Sequence, residues 1–290
     1  LYMRQRKGYK ISYLMEPFLL IDELKELDRL LVDYLRTLTP EQWNAQTVAR
    51  QWKVKDVALH LLDGNLRAIS MLRDGYWSDP NTEFNSYEEL LAYLNGLNAT
   101  WIEGTRRLSP QVTTDLLAYS GAQYLAMLAD LDPFAKATFS VAWAGEDASL
   151  NWFHIAREYT EKWHQQQQIR LATGDEDTLL TEQYYRPFLA TTVYALPHHY
   201  RDVPGMEGDV LQFVFRGKRD KAWSLKREDK KWLLTDEVFD HPRSIIIVPD
   251  RFAWQVFMKA MPRKEAAAHV QVEGDEDAGR HLLNLIAVMA

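Results

Sequence analysis

Cysteine is absent from all 290 residues of the chain. That excludes disulfides, thiolate metal ligands and a protein-borne thiol nucleophile, so any sulfur chemistry needs a thiol brought from outside. Long apolar runs are missing too. No stretch approaches the ~18 residues that span a bilayer, so no membrane partner is expected and a cytoplasmic location is the default. Positive charge is in short supply: 34 Lys and Arg against 41 Asp and Glu leave a net charge of −7, which offers no nucleic-acid surface. Several catalytic phrases are also lacking. There is no Gly-rich phosphate loop, no Gly-x-Ser-x-Gly elbow and no His-Glu-x-x-His. Ser, His and Asp are too scattered for a triad.

What remains has the texture of a globular protein, 47% hydrophobic and 26% charged, long enough for one large domain or two ordinary ones. Residues 1–16 open on a basic stretch without a cleavage pattern and read as a disordered leader, with Met15 a sensible native start. From 17 to 37, Leu20, Leu24, Leu27, Leu31 and Leu35 recur at helical steps. Thr39-Pro40-Glu41 breaks that helix and restarts another. A helix is expected from about Val54 to Arg73, stopping near Gly75. Another opens at the Ser86 cap and reaches about Leu108. Residues 110–131 read as a helical stretch interrupted near Gly121. Ser149 is expected to cap a last long helix closed by Gly174.

Beyond the acidic tract Asp175–Asp177 the texture changes. Asp209–Phe215, Trp223–Leu225, Trp232–Leu234, Ser244–Val248 and Val270–Val272 are strand-like. An apolar helix capped by Asp250 is expected over Arg251–Met261, and a terminal one over Asp275–Met289. The organisation expected is a helical bundle over 17–178 and an α+β domain over 185–290.

The last long helix of that bundle carries an unusual polar stripe. At about 100° per residue, with His154 as origin, Glu158 falls near 40°, Glu161 near −20° and Gln165 near 20°. His164 falls near −80°, to one side, although i, i+3 spacing still brings it close to Glu161. Polar groups aimed at a bundle centre need partners, because a buried carboxylate is costly unless paired or metal-bound. Asp63 and Asn65, one turn after His60, border the same region. Asp56 reads as a first-turn charge. His198-His199 reads as a surface loop pair, and His241, His269 and His281 as isolated structural or solvated groups. Arg216, Arg219 and Arg227 read as strand-edge solvation.

Two phrases, Trp52-Lys53-Val54-Lys55-Asp56-Val57-Ala58-Leu59-His60 and Glu158-Tyr159-Thr160-Glu161-Lys162-Trp163-His164-Gln165, resemble the DinB-like bundles of mycothiol-dependent maleylpyruvate isomerases. The second half resembles the sterol-carrier-like domain that follows the bundle in that family. It does so in its strand order, the helix Ala253–Phe257 and the terminal His281–Ile286. The resemblance implies a DinB-like four-helix bundle followed by a small sterol-carrier-like α+β domain. It also implies a divalent metal, zinc or nickel, and a low-molecular-weight thiol. A small-molecule substrate and a monomer or homodimer complete the expectation. The family's ligands fall on His60, Glu161 and position 165, where this chain has Gln165 in place of a histidine. An amide oxygen is a poorer ligand than imidazole for such ions. Two functions stay open: a metal- and thiol-dependent isomerase or transferase, or a binding protein for small molecules that has lost the metal.

Overall fold

The computed structural model describes residues 15–78, 84, 86–218, 220–285 and 287. The leader expected over 1–16 lies outside them but for its last two residues, as do Arg219 and the end of the expected terminal helix. Five long helices fill the first half: α1 (Ile21–Leu35), α3 (Val54–Ala68), α4 (Tyr87–Thr105), α5 (Pro110–Ala129) and α6 (Asn151–Thr173). A short α2 (Pro40–Trp43) separates the first two, and a π-helical turn, Ile69–Arg73, extends α3. The second half holds α7 (Glu182–Thr192), α8 (Leu196–His199) and strands β1 (Val210–Arg216), β2 (Lys221–Glu228), β3 (Lys231–Thr235) and β4 (Ser244–Pro249). It ends with α9 (Asp250–Phe257), α10 (Arg263–His269), β5 (Gln271–Gly274) and α11 (Glu276–Arg280). A helical domain plus a small mixed-sheet α+β domain is the architecture.

The chain packs as two compact units. One comprises Leu19–Thr138 with Ile155–Arg186; the other gathers Phe139–His154 with the described residues from Pro187 onward. In the first, Leu31, Leu35, Trp43, Val57, Leu61 and Leu117 form one buried cluster with Ile169. It is the leucine stripe of α1 closing on α3, α5 and α6. Thr39 caps α2 by accepting the Gln42 N–H, and the Gln42 side chain accepts the Thr39 N–H in return.

Helix α5 runs unbroken through Gly121, where an interruption was expected. The glycine serves packing: a Cβ there would stand 2.4 Å from Asp28 Oδ2 on α1. At Gly174 the backbone has φ +89, the left-handed conformation that ends α6 without the strain of a side chain. Ser149 does not cap α6. Its hydroxyl accepts the Val141 N–H at 2.8 Å and donates to Glu146, so it ties down the preceding loop. Nor does Asp250 cap α9, because it is the helix's own first residue and Pro249 stands at the cap without a side-chain bond.

In the second unit a five-stranded sheet runs in the order β3-β2-β1-β4-β5. All neighbours are antiparallel except β1 and β4, which pair in parallel from Leu211–Ser244 to Arg216–Pro249. Leu211, Phe213 and Phe215 alternate along β1 as buried residues, and the Phe215 ring lies 5.6 Å from that of Phe257 on α9. The terminal helix is shorter than expected. After Arg280 the chain tightens into a 3-10 turn, His281–Asn284, and Leu285 is extended at ψ 140.

His199 and His281 are the second unit's unforeseen pair. Expected as a surface loop residue and an isolated one, they stack at 4.3 Å between ring centroids. His199 Nε2 lies 2.8 Å from the His281 carbonyl, and His281 Nε2 lies 3.1 Å from the His199 carbonyl. Each ring therefore donates to the other's backbone. Burial first, then neighbouring positive charge, holds His199 down at about 4. A folded value below the unfolded ~6.5 means that the unfolded chain takes the proton more readily. This contribution is complete above the unfolded value and is lost as pH falls from about 6.5 toward 4. Unfolding followed at pH 7 and pH 5 should show roughly 2 kcal/mol less stability at pH 5 from this group. His199→Gln should remove that part of the slope, and an unchanged slope in the variant would assign it elsewhere.

Candidate functional site

The site begins with the turn before α3. The Trp52 carbonyl accepts from the Gln46 amide at 2.8 Å and from the Thr47 hydroxyl at 2.7 Å, so the turn is fixed by two side chains. Asp56 accepts the Lys53 N–H at 2.9 Å and secures the helix start, the first-turn role expected of it. Trp52 thereby lies against His60, ring centroids 4.8 Å apart. On the other side Trp101 of α4 donates to the Leu59 carbonyl at 2.8 Å. His60 is thus held on a braced segment.

Across from it stands α6. His60 Nε2 is 3.2 Å from Glu161 Oε1, and the Gln165 amide donates to the same oxygen at 3.0 Å. His164 Nδ1 lies 3.6 Å from the other oxygen, Oε2. Glu161 therefore gathers His60, His164 and Gln165 around one carboxylate. His164 reaches it in spite of its angle on the helical wheel, because i, i+3 neighbours lean together. Glu161 keeps 38% of its side chain exposed, whereas His60 keeps 15% and His164 8%. Solvent reaches the cluster through the carboxylate.

The electrostatics divide the roles. Crowding by the protein would raise the Glu161 carboxyl, but the His60 hydrogen bond, the His164 and His60 charges and the Gln165 amide outweigh it and hold Glu161 at about 2. It is a permanent anion near neutrality and correspondingly a weak base. His164 is lowered, burial dominating over the attraction of Glu161. Burial thus favours its neutral form, the form in which imidazole binds metals. Buried atoms without a hydrogen-bond partner cluster here: His60 Nδ1, His164 Nδ1 and Gln165 Oε1. Unpaired polar atoms at one place invite a ligand.

Other expected residues go elsewhere. His154 packs its ring 6.3 Å from Phe139 and falls in the other compact unit. Glu158 accepts from Tyr124 at 2.6 Å and from Arg157. Asp63 lies 2.9 Å from Arg67 and is raised chiefly by burial. Asn65 belongs to a buried network that the sequence reading did not foresee. Lys162 Nζ donates to Asp28 at 2.6 Å and to Asn65 at 3.0 Å, and Asn65 donates to Ser120 at 3.2 Å. The signal was available: Asp28 sits within the stripe Leu24, Leu27, Leu31 and needs a cation.

A metal would find partial accommodation. Ligands at ~2.0–2.1 Å around a tetrahedral ion stand about 3.3 Å apart, close to the His60–Glu161 separation. A carboxylate flanked by imidazole is also a suitable donor set for a borderline ion. Yet among the described residues no group of three or more His, Asp or Glu side chains is arranged to hold an ion. The two histidines approach opposite oxygens of Glu161.

No curated protein matches the chain. Two crystal structures of a mycothiol-dependent maleylpyruvate isomerase, one of a point mutant, align with 87% of this chain and 92% of their own at 10% identity and TM-score 0.45. Residues 24–170 match the family model described as the mycothiol maleylpyruvate isomerase N-terminal domain. That match takes in both site helices and more than half of the 290 residues, and by it the chain belongs to the mycothiol maleylpyruvate isomerase N-terminal domain family.

Proposed function

We propose that this chain is an isomerase or transferase of the maleylpyruvate isomerase type, using a low-molecular-weight thiol at the His60–Glu161 pair. The observation that carries the reading is the convergence of His60, His164 and Gln165 on one half-exposed carboxylate. The chain has no cysteine of its own. Membership of a family named for mycothiol supports an external thiol as the sulfur source. Addition of a thiolate to a maleyl double bond leaves a single bond free to rotate, and its departure gives the trans product with no net change in atoms.

His60 and Glu161 would hold a divalent ion, zinc or nickel, with Gln165 turning its amide oxygen inward or His164 supplying a nitrogen. Such an ion lowers the pKa of a thiol it binds. The protein's own part is separate. Glu161 provides fixed negative charge without serving as base. His60 and His164 stand beside its two oxygens, at 3.2 Å and 3.6 Å. Trp52 packs on His60 and keeps its ring from turning.

A second reading has its own observation. The Gln165 amide already donates to Glu161, a bond that a metal-free cluster would keep. On that reading the bundle binds small molecules without chemistry. Protein purified without an affinity tag and assayed for bound metal separates the two. We expect near one zinc or nickel per chain, and thiol-dependent isomerisation of maleylpyruvate. Metal-free protein that stays inactive after zinc is added would support the binder.

A further inference from the structure

Helix α5 carries apolar side chains on its outer face as well as its inner one, with Asp115 and Gln123 set among them. Inward, Leu117, Tyr124, Leu125 and Leu128 are buried. Outward, Val112, Leu116 and Tyr119 are exposed by 43%, 38% and 69%, and exposed Ala122 and Ala126 continue the row. Their steps of four, three, three and four residues keep all five within about 120° of the helix circumference. Asp115 is the only charged residue among the twenty of α5. A surface helix normally turns a charged face to water, and one with so little charge outward is normally covered.

We propose that a second copy of this chain covers the outer face of α5, the two α5 helices packing antiparallel across a two-fold axis at Tyr119. Size favours this arrangement. The large side chains Val112 and Leu116 lie on the N-terminal side of Tyr119, and the small Ala122 and Ala126 on the C-terminal side. An antiparallel pair sets Val112 against the partner's Ala126 and Leu116 against the partner's Ala122, ridge into groove on both sides of the axis.

Charge favours it too. Exposed Arg107 precedes the helix and exposed Asp130 follows it. Antiparallel packing brings these opposite charges together, whereas parallel packing would set like against like. The lone Asp115 would face the partner's Gln123, whose amide oxygen already accepts from Arg73 at 2.6 Å within its own chain. Arg73 is itself paired with Asp74, so what meets the carboxylate is the Gln123 amide N–H. The inference stands apart from the reading of the His60–Glu161 site.

Sedimentation equilibrium of the full chain over a concentration series tests it. The wild type should be a dimer, and Leu116→Glu should weaken association at least tenfold with an unchanged circular dichroism spectrum. Because the chain has no cysteine, single introduced thiols report orientation. Tyr119→Cys should be joined to its partner copy by a short bis-maleimide. Val112→Cys alone should not, since its two copies would lie about 21 Å apart at 1.5 Å per residue. Val112→Cys combined with Ala126→Cys should cross-link. A wild type that is monomeric throughout would overturn the proposal, as would a dimer indifferent to Leu116→Glu. Efficient cross-linking of Val112→Cys alone would reject the antiparallel arrangement.

Discussion

Replacing Asp28 with alanine should destabilise the helical unit by about 3–5 kcal/mol, the cost of leaving a buried charge without its counter-ion. Lys162 would be the stranded charge. Its side chain is 5% exposed and that of Asp28 9%, so water cannot take the carboxylate's place. Asn65 would remain as a partner, and the Tyr124 ring stands 5.5 Å from Nζ, but neither neutralises an ammonium. The accompanying substitution Lys162→Met should recover much of the loss, because removing both charges leaves only a packing defect. Gly121→Ala attacks the same contact sterically and should also destabilise, since its Cβ would drive Asp28 off Lys162. Urea unfolding of the variants measures each effect. A loss below about 1 kcal/mol for Asp28→Ala would mean that Lys162 finds solvent after all.

Gln165→His should raise zinc affinity by about tenfold or more, a gain of at least ~1.4 kcal/mol. The position already stands 3.0 Å from Glu161 Oε1, and imidazole is a better donor than an amide to such an ion. Glu161→Ala should abolish binding, since it removes the atom pair on which His60, His164 and Gln165 converge. Calorimetry with zinc alone reads both effects, with His164→Ala as the comparison. If Gln165→His changes nothing while His164→Ala lowers affinity, the third donor is His164. Unchanged affinity in all variants would remove the site from metal binding.

The polar centre of the bundle was legible because its residues stand in recognisable helical phrases. The resemblance of those phrases to those of the family set His60 across from Glu161, while counting turns only placed Glu161 and Gln165 on one stripe. The same arithmetic misjudged His164, because a wheel treats side chains as spokes, while neighbours three apart lean along the helix toward each other. Lys162 escaped notice beside Glu161, since nothing local distinguishes a buried lysine from a solvated one. Its partner Asp28 arrives from 134 residues away. Gly121 was read as a break because local propensity sees glycine as a helix breaker, whereas the cause of this one lies on another helix. Helix α10 went unseen for the opposite reason: Ala266, Ala267 and Ala268 favour helix but carry no apolar period. His199 and His281 lie 82 residues apart and announce nothing until the chain brings them together.

The one parallel pairing in the sheet has a consequence for how the second unit assembles. Strands β1, β2 and β3 follow each other directly, so their registers can be set by the intervening turns as the chain leaves the ribosome. The β1–β4 pairing has no turn to set it; β4 must return past a completed hairpin, and its unbroken apolar run Ile245–Val248 marks no single face by alternation. Such non-local closure is slow compared with hairpin formation. Until it happens, the buried edge of β1 stands open to any other extended chain, and the nascent protein is most vulnerable to misassociation in that interval.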